Sequence, residues 1–233
     1  MDAQTALIWH TAGRQGARTV HADAVASAHG VVALADGIGD SAAAVRAALT
    51  AVTAAVSVPA VAGPSAALAA AQSAVLADPG AGDSVLVVAQ PFPGGFRIGW
   101  VGDVRAYAWD GVALRQLTTD HTLAQYFRDH GDPPTPRMEH LVTTSVRTAS
   151  PARYGHAVAT APTRLLLTSD GVHKTLSHEA MTTIVRTSAN PAETLVQAAM
   201  SAGGRDNATA VIVAHDHLPP TIAVPTHPLP AAA

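Results

Sequence analysis

The sequence predicts an α+β layered domain, and three observations carry that prediction. Strand-like runs cluster in the middle of the chain with helical segments before and after them. Turn dipeptides separate several of those runs by only a few residues. Apolar side chains make up 48% of 233 residues, enough to bury a substantial core without disulfides or a structural metal. In chain order, the first strand run is Val31 to Ala35. The alanine-rich stretches Ser41 to Val56 and Ser65 to Ala77 follow as helices, parted by Gly63-Pro64. Val85 to Gln90 and Phe96 to Val101 are strands joined across Gly94-Gly95, and Arg105 to Trp109 turns through Asp110-Gly111 into Val112 to Gln116. These are antiparallel hairpins rather than βαβ crossovers. After a helix at Thr122 to His130 comes the strand Arg164 to Thr168, then helices at Ser177 to Thr187 and Ala192 to Ala202. The last helix has Asn190 to cap it, Pro191 at its first position, Glu193 where a capping-box carboxylate reaches back, and Gly203 to end it. Thr209 to Ala214 is the final strand. The expected organisation is one domain over 1–217 and a Pro- and Ala-rich disordered tail over 218–233.

Composition removes several function classes. Lys and Arg total 14 against 17 Asp and Glu, a net charge of −3, so no diffuse basic surface exists to hold nucleic acid. The absence of cysteine excludes disulfides, thiolate zinc sites and thiol nucleophiles, and points to a reducing compartment. No run approaches the ~20 apolar residues of a membrane helix, and Met1 to His10 carries an acid rather than a basic flank. The expectation is a cytoplasmic protein with no membrane or nucleic-acid partner. His121, His130 and His140 lack the helical spacing of zinc ligands, and no Gly-x-x-x-x-Gly-Lys-Ser/Thr loop is present.

The informative residues are carboxylates at strand ends. Val31 to Ala35 runs into Asp36-Gly37, and Leu165 to Ser169 runs into Asp170-Gly171. Asp206 immediately precedes the last strand, and Asp23 closes Arg18 to Asp23 shortly before the first. Asp110-Gly111, by contrast, reads as turn chemistry alone. Gathering like charges is unfavourable: at ~4 Å two of them repel by about 4 kcal/mol at an effective dielectric near 20. A hard divalent cation removes that penalty, and Mg²⁺ or Mn²⁺ suits scattered aspartates supplemented by a glycine carbonyl.

Six segments, in order, resemble the motifs of the metal-dependent PP2C (PPM) family of protein serine/threonine phosphatases, in particular its compact bacterial members. They are Arg18 to Asp23, Ala35-Asp36-Gly37-Ile38-Gly39, Gly102-Asp103-Val104-Arg105-Ala106-Tyr107, Leu117 to Thr122, Leu165 to Gly171 and Asp206-Asn207-Ala208-Thr209-Ala210-Val211. The resemblance implies a four-layer αββα sandwich, two antiparallel β-sheets flanked by helices, with a two-ion Mn²⁺ or Mg²⁺ site at one end. It implies that Asp36 bridges both ions, that Asp170 and Asp206 complete the first, and that Gly37 helps hold the second through its carbonyl. Asp23 would ligate or hold metal-bound water, Asn207 would position its loop and Asp206, and Arg18 would clamp phosphate. The implied reaction is in-line attack of a metal-bridging hydroxide on phosphoserine or phosphothreonine in a protein, opposing a Ser/Thr kinase.

Three positions depart from the family pattern. Ala22 stands in place of a glutamate that supports the second ion. Lys174 replaces an aspartate that, with the acid matched by Asp103, helps hold a third ion; a cation there opposes metal binding, so the third site is expected to be absent or very weak. Asp103 is then either a metal residue or a partner of Arg105. Ile38 occupies the position of a histidine proposed as general acid in animal relatives, which bacterial relatives also lack. The second functional reading, motivated by Ala22 and Lys174, is a catalytically impaired relative that binds a phosphoprotein partner.

Overall fold

Apolar strands with both faces covered and alanine-rich helices on the outside produce four layers. The computed structural model describes residues 7–162 and 164–215, and the tail expected over 218–233 lies outside the described residues. The strands are β1 (Leu7–Arg14), β2 (Asp23–Ala28), β3 (Val31–Gly37), β4 (Ser84–Phe92), β5 (Gly95–Val101), β6 (Arg105–Trp109), β7 (Leu114–Gln116), β8 (Gly155–Thr160), β9 (Arg164–Thr168) and β10 (Ala208–His215). The helices are α1 (Ala42–Val56), α2 (Pro64–Ala77), α3 (Leu123–Asp129), α4 (Asp170–His173), α5 (His178–Thr187) and α6 (Pro191–Ser201). One five-stranded antiparallel sheet has the order β2-β3-β4-β5-β8, and the other β1-β10-β9-β6-β7.

Three apolar clusters hold the layers together. Ala47, Ala51, Leu68 and Val75 of α1 and α2 pack on Val31, Ala33 and Val88 of the first sheet. Val32, Leu34, Val87 and Ile98 meet Leu165, Leu167 and Val211 between the sheets. Tyr107, Leu166 and Ile212 on the far face of the second sheet pack on Met181 and Leu195 of α5 and α6. β3 therefore sends alternate residues to two different interfaces, which is why Val31 to Ala35 reads as an unbroken apolar run instead of an alternating one.

Both predicted hairpins form: β4 pairs antiparallel with β5, and β6 with β7. The predicted helices form within one residue of their expected ends. The cap of α6 differs from expectation. Asn190 occupies the N-cap position, but its side chain makes no capping bond. Glu193 instead pairs with Arg14 of the neighbouring β1 at 2.5 Å, because a full cation within reach is a stronger partner than a backbone amide. Gly203 ends the helix at φ 89, as expected.

Candidate metal centre

Four strand ends and one turn deliver the predicted site residues to one end of the sandwich. Asp36 and Gly37 close β3, and Asp23, the first residue of β2, is the register partner of Asp36. In the second sheet β9 ends at Thr168 and β10 begins at Ala208, and these antiparallel neighbours place Asp170 and Asp206 side by side at the same rim. The turn from β5 to β6 brings Asp103. Gly102 makes that turn at φ 91, where a Cβ would also run into the Val85 side chain, so the position requires glycine. Arg18, Asp36, Gly37, Asp103, Asp170, Asp206 and Asn207 line one pocket of ≈ 140 Å³. Asp23 does not line the pocket.

The carboxylates are held at an electrostatic cost. Burial pushes the Asp36 carboxyl well above its ordinary range, and the charges of Asp23, Asp170, Asp103 and Asp206 push in the same direction. Burial likewise raises Asp23 from 3.8 to about 6, against the opposing pull of the Thr209 and Ser169 hydroxyls. Ser169 Oγ donates to Asp23 Oδ2 at 2.7 Å. The Thr209 hydroxyl lies near enough to help, yet neither its Oγ1 nor Asp23 Oδ1 makes a hydrogen bond of ordinary geometry, and both atoms are buried.

Two cations neutralise the rest. Arg18 donates from Nε and from one terminal nitrogen to the two oxygens of Asp206, at 2.8 and 2.5 Å. Lys174 Nζ donates to Asp103 Oδ2 at 2.5 Å, to the Glu139 carbonyl at 2.9 Å and to Asp170 Oδ2 at 3.1 Å. Burial opposes a charge on Lys174, but Asp170 and Asp103 outweigh it and raise its pKa above the ordinary lysine value. The pairing of Asp103 with Arg105 does not form. Arg105 grips Asp120 through a fork of 2.8 and 2.7 Å, because Asp120 presents both oxygens to the guanidinium while Lys174 already holds Asp103.

This donor set fits a hard divalent cation. It consists of carboxylates, with a glycine backbone at Gly37. It contains a buried carboxylate oxygen without a partner, Asp23 Oδ1, and a buried carboxylate, Asp36, whose charge four acidic neighbours disfavour. Among the described residues no three acidic or histidine side chains are drawn together as a closed ligand group. Arg18 holds both oxygens of Asp206, and Lys174 holds Asp103 and one oxygen of Asp170. Ala22, buried at 1% exposure, has no side-chain oxygen to offer the site.

Asn207 fixes the approach of the Arg18 loop. Its Oδ1 accepts from the Ala22 amide at 2.7 Å, and its Nδ2 donates to the carbonyls of Gln15 and Val20 at 2.7 and 3.0 Å. Asp40, which sequence reasoning did not single out, clamps the same loop. It accepts from the Thr19 amide at 2.9 Å, the Thr19 hydroxyl at 2.8 Å and the Val20 amide at 3.1 Å. The available signal was its position three residues after Gly37, in the turn before α1. His140, the last residue of a 3₁₀ turn over Pro136–His140, and Val142, which bridges to Thr122, also line the pocket.

A raised carboxyl pKa has a definite sign in stability. The folded chain binds more protons than the unfolded chain while pH lies between 3.8 and about 6, so the contribution of Asp23 falls as pH rises through that window and stays low above it. In chelator, the melting temperature of the wild type minus that of Asp23→Asn is therefore expected to decrease from pH 4 to pH 6. A difference that grows over this range would contradict the assigned burial of Asp23. Added Mn²⁺ is expected to raise the wild-type melting temperature more at pH 7.5 than at pH 5.5, because binding must displace protons.

No family model and no curated protein matches the chain. Solved structures do. The serine/threonine phosphatase PstP/Ppp of Mycobacterium tuberculosis aligns with a TM-score of 0.76 at 24% identity, over 91% of this chain and 99% of that one. The catalytic domain of PstP in complex with two manganese ions gives 0.75 at 25% identity, over 89% and 97%. The PPM Ser-Thr phosphatase MsPP of Mycobacterium smegmatis, in complex with cacodylate, gives 0.72 at 28% identity, over 89% and 98%. The resemblance read from six short motifs and the arrangement of ten strands lead to the same group of proteins.

Proposed function

We propose that this chain, which has the fold of the bacterial PP2C (PPM) serine/threonine phosphatases, is a metal-dependent phosphatase acting on phosphoserine and phosphothreonine in proteins. The observation that carries the proposal is the delivery of Asp36, Asp170, Asp206 and Arg18 to a single pocket at one end of the sandwich. Asp23, Asp36, Gly37, Asp170 and Asp206 would hold two Mn²⁺ or Mg²⁺ ions, as the two manganese ions of the PstP complex invite. Bound there, the ions would lower the pKa of water toward neutral and offset the phosphoryl charge.

The chain's own residues supply the remainder. Arg18 presents a planar fork whose geometry matches two phosphate oxygens as well as it matches the two oxygens of Asp206 that it now holds. Once Asp206 serves as a ligand, that fork is free to grip the substrate. Asn207 and Asp40 fix the loop that carries Arg18, so the guanidinium is positioned before the substrate arrives. Lys174 keeps Asp103 and one oxygen of Asp170 neutralised. Water adds to phosphorus and the seryl or threonyl oxygen departs, with no phosphoenzyme and hence no need of a cysteine. Ala22 and Lys174, which motivated a binding-only reading, leave the five donors and Arg18 in place.

The physiological partner would be a phosphorylated protein made by an opposing kinase. No helix among the described residues is long and apolar enough to cross a membrane. The test is hydrolysis of p-nitrophenyl phosphate and of a phosphothreonine peptide with Mn²⁺ and with chelator. Metal-dependent turnover is expected, and Arg18→Ala is expected to lose about 10²- to 10³-fold in kcat/KM. No turnover with Mn²⁺ above the chelator background would overturn the proposal.

A further inference from the structure

The pocket wall contains one imidazole. Beside Arg18 and the carboxylates, the segment after α3 contributes His140 and Val142. The wall otherwise offers Asp36, Asp103, Asp170 and Asp206, an arginine that does not release its proton, an asparagine and apolar groups. Ile38, beside Asp36, is 46% exposed and carries no proton to give. Hydrolysis of a phosphoserine or phosphothreonine nevertheless expels a strongly basic alkoxide, which leaves readily only if it is protonated as the bond breaks.

His140 is placed for that task by an unusual amount of bonding in its neighbours. The Glu139 carbonyl accepts from Lys174 Nζ at 2.9 Å, and the Glu139 carboxylate pairs with Arg128 of α3. The Leu123 amide donates to the Leu141 carbonyl at 2.8 Å, Val142 bridges to Thr122, and the Thr143 amide donates to His121 at 2.8 Å. Pinned on both sides, the His140 side chain is exposed and makes no hydrogen bond or ion pair among the described residues. Of the other histidines close to the site in sequence, His21 does not line the pocket, and His121 and His173 are committed elsewhere. His121 Nδ1 accepts from the Gly102 amide at 3.2 Å, and buried His173 Nδ1 meets the Thr168 hydroxyl at 2.8 Å.

We propose that His140 is the proton donor to the leaving group, and this rests on the phosphatase reading above. As the P–O bond breaks, its imidazolium N–H gives the proton to the seryl or threonyl oxygen while water adds to phosphorus and loses one proton. The products are the free hydroxyl and hydrogen phosphate, and the exposed imidazole regains its proton from solvent. Lys174 acts through His140 as a positioning residue, by holding the Glu139 carbonyl.

The experiment compares leaving groups. p-Nitrophenolate departs as a stable anion and needs no acid, whereas threonine does. His140→Gln, checked for an unchanged melting temperature, is expected to lose about 10²-fold or more in kcat with the phosphothreonine peptide. With p-nitrophenyl phosphate the expected loss is within roughly 3-fold, far below that range. Equal losses on the two substrates, or no loss on the peptide, would overturn the proposal. A wild type that hydrolyses neither substrate removes the phosphatase reading itself. A wild type active on both with an indifferent His140→Gln removes only the proton donor.

Discussion

Asp36→Asn is expected to abolish metal-dependent hydrolysis, by about 10³-fold or more, and at the same time to raise the melting temperature of the metal-free protein. The first half follows from position: Asp36 stands at the end of β3, paired in register with Asp23 and lining the pocket, and is the carboxylate expected to serve both ions. The second half follows from charge. Burial and four acidic neighbours all disfavour ionised Asp36. Asparagine keeps the shape and a hydrogen-bonding carbonyl but removes the charge, so the self-repulsion of the apo site falls. Relief of this kind at a functional site is commonly about 1–2 kcal/mol, or roughly 2–8 °C for a chain of this length. Thermal melts in chelator at pH 7.5, set beside a Mn²⁺ titration of each protein, separate the two effects. The wild type should gain stability with Mn²⁺ and overtake the variant, whose curve should stay nearly flat. A variant that melts below the wild type in chelator would show that Asp36 is not held against its own charge.

Much of this site was legible in the sequence because its residues sit where strand periodicity ends. Asp36 and Asp170 each follow a short apolar run buried on both faces and are followed by glycine, and it is the run's length and that flanking glycine that mark a buried strand. What was not legible was the edge of the sheets. β1, β2 and β8 were not anticipated, and all three are edge strands. β8 alternates exposed residues with half-buried or buried ones over Gly155–Thr160, β2 carries a single buried side chain, and β1 leaves Ile8 46% and Trp9 37% exposed. Edge strands are stabilised by one neighbour and bury little, so their composition resembles that of loops. The same reasoning accounts for His140. It lies on a segment fixed by backbone bonds to α3 and by Lys174, and neither kind of contact leaves a periodic trace in the residues themselves. Asp103 was legible as a site residue, but its partner was not: choosing between Arg105 and Lys174 required the turn at Gly102 and the start of α4 to be placed side by side.

Lys174→Asp is expected to reverse the dependence of this end of the fold on metal. Lys174 is a largely buried ammonium, 16% exposed in its side chain, which donates hydrogen bonds to Asp103, Asp170 and the Glu139 carbonyl. Removing one partner of a buried ion pair costs about 3–5 kcal/mol, because the remaining charge is left without compensation. A carboxylate at 174 adds repulsion to that loss, so in chelator the variant should melt roughly 6–20 °C below the wild type. The three carboxylates at 103, 170 and 174 would then form the hard-oxygen cluster that the lysine now prevents, and a divalent ion can take over the role of the ammonium. Mn²⁺ should recover most of the lost melting temperature, and metal analysis after desalting should find one more ion per chain than in the wild type. Lys174→Met serves as the comparison, since it loses the cation without creating a ligand: it should be destabilised in chelator and recover far less with Mn²⁺. Equal metal content in wild type and Lys174→Asp, together with equal rescue of the Met and Asp variants, would show that the ammonium does not stand in for an ion. In that outcome its function would reduce to holding the Glu139 carbonyl, and the Met variant alone would account for the whole effect.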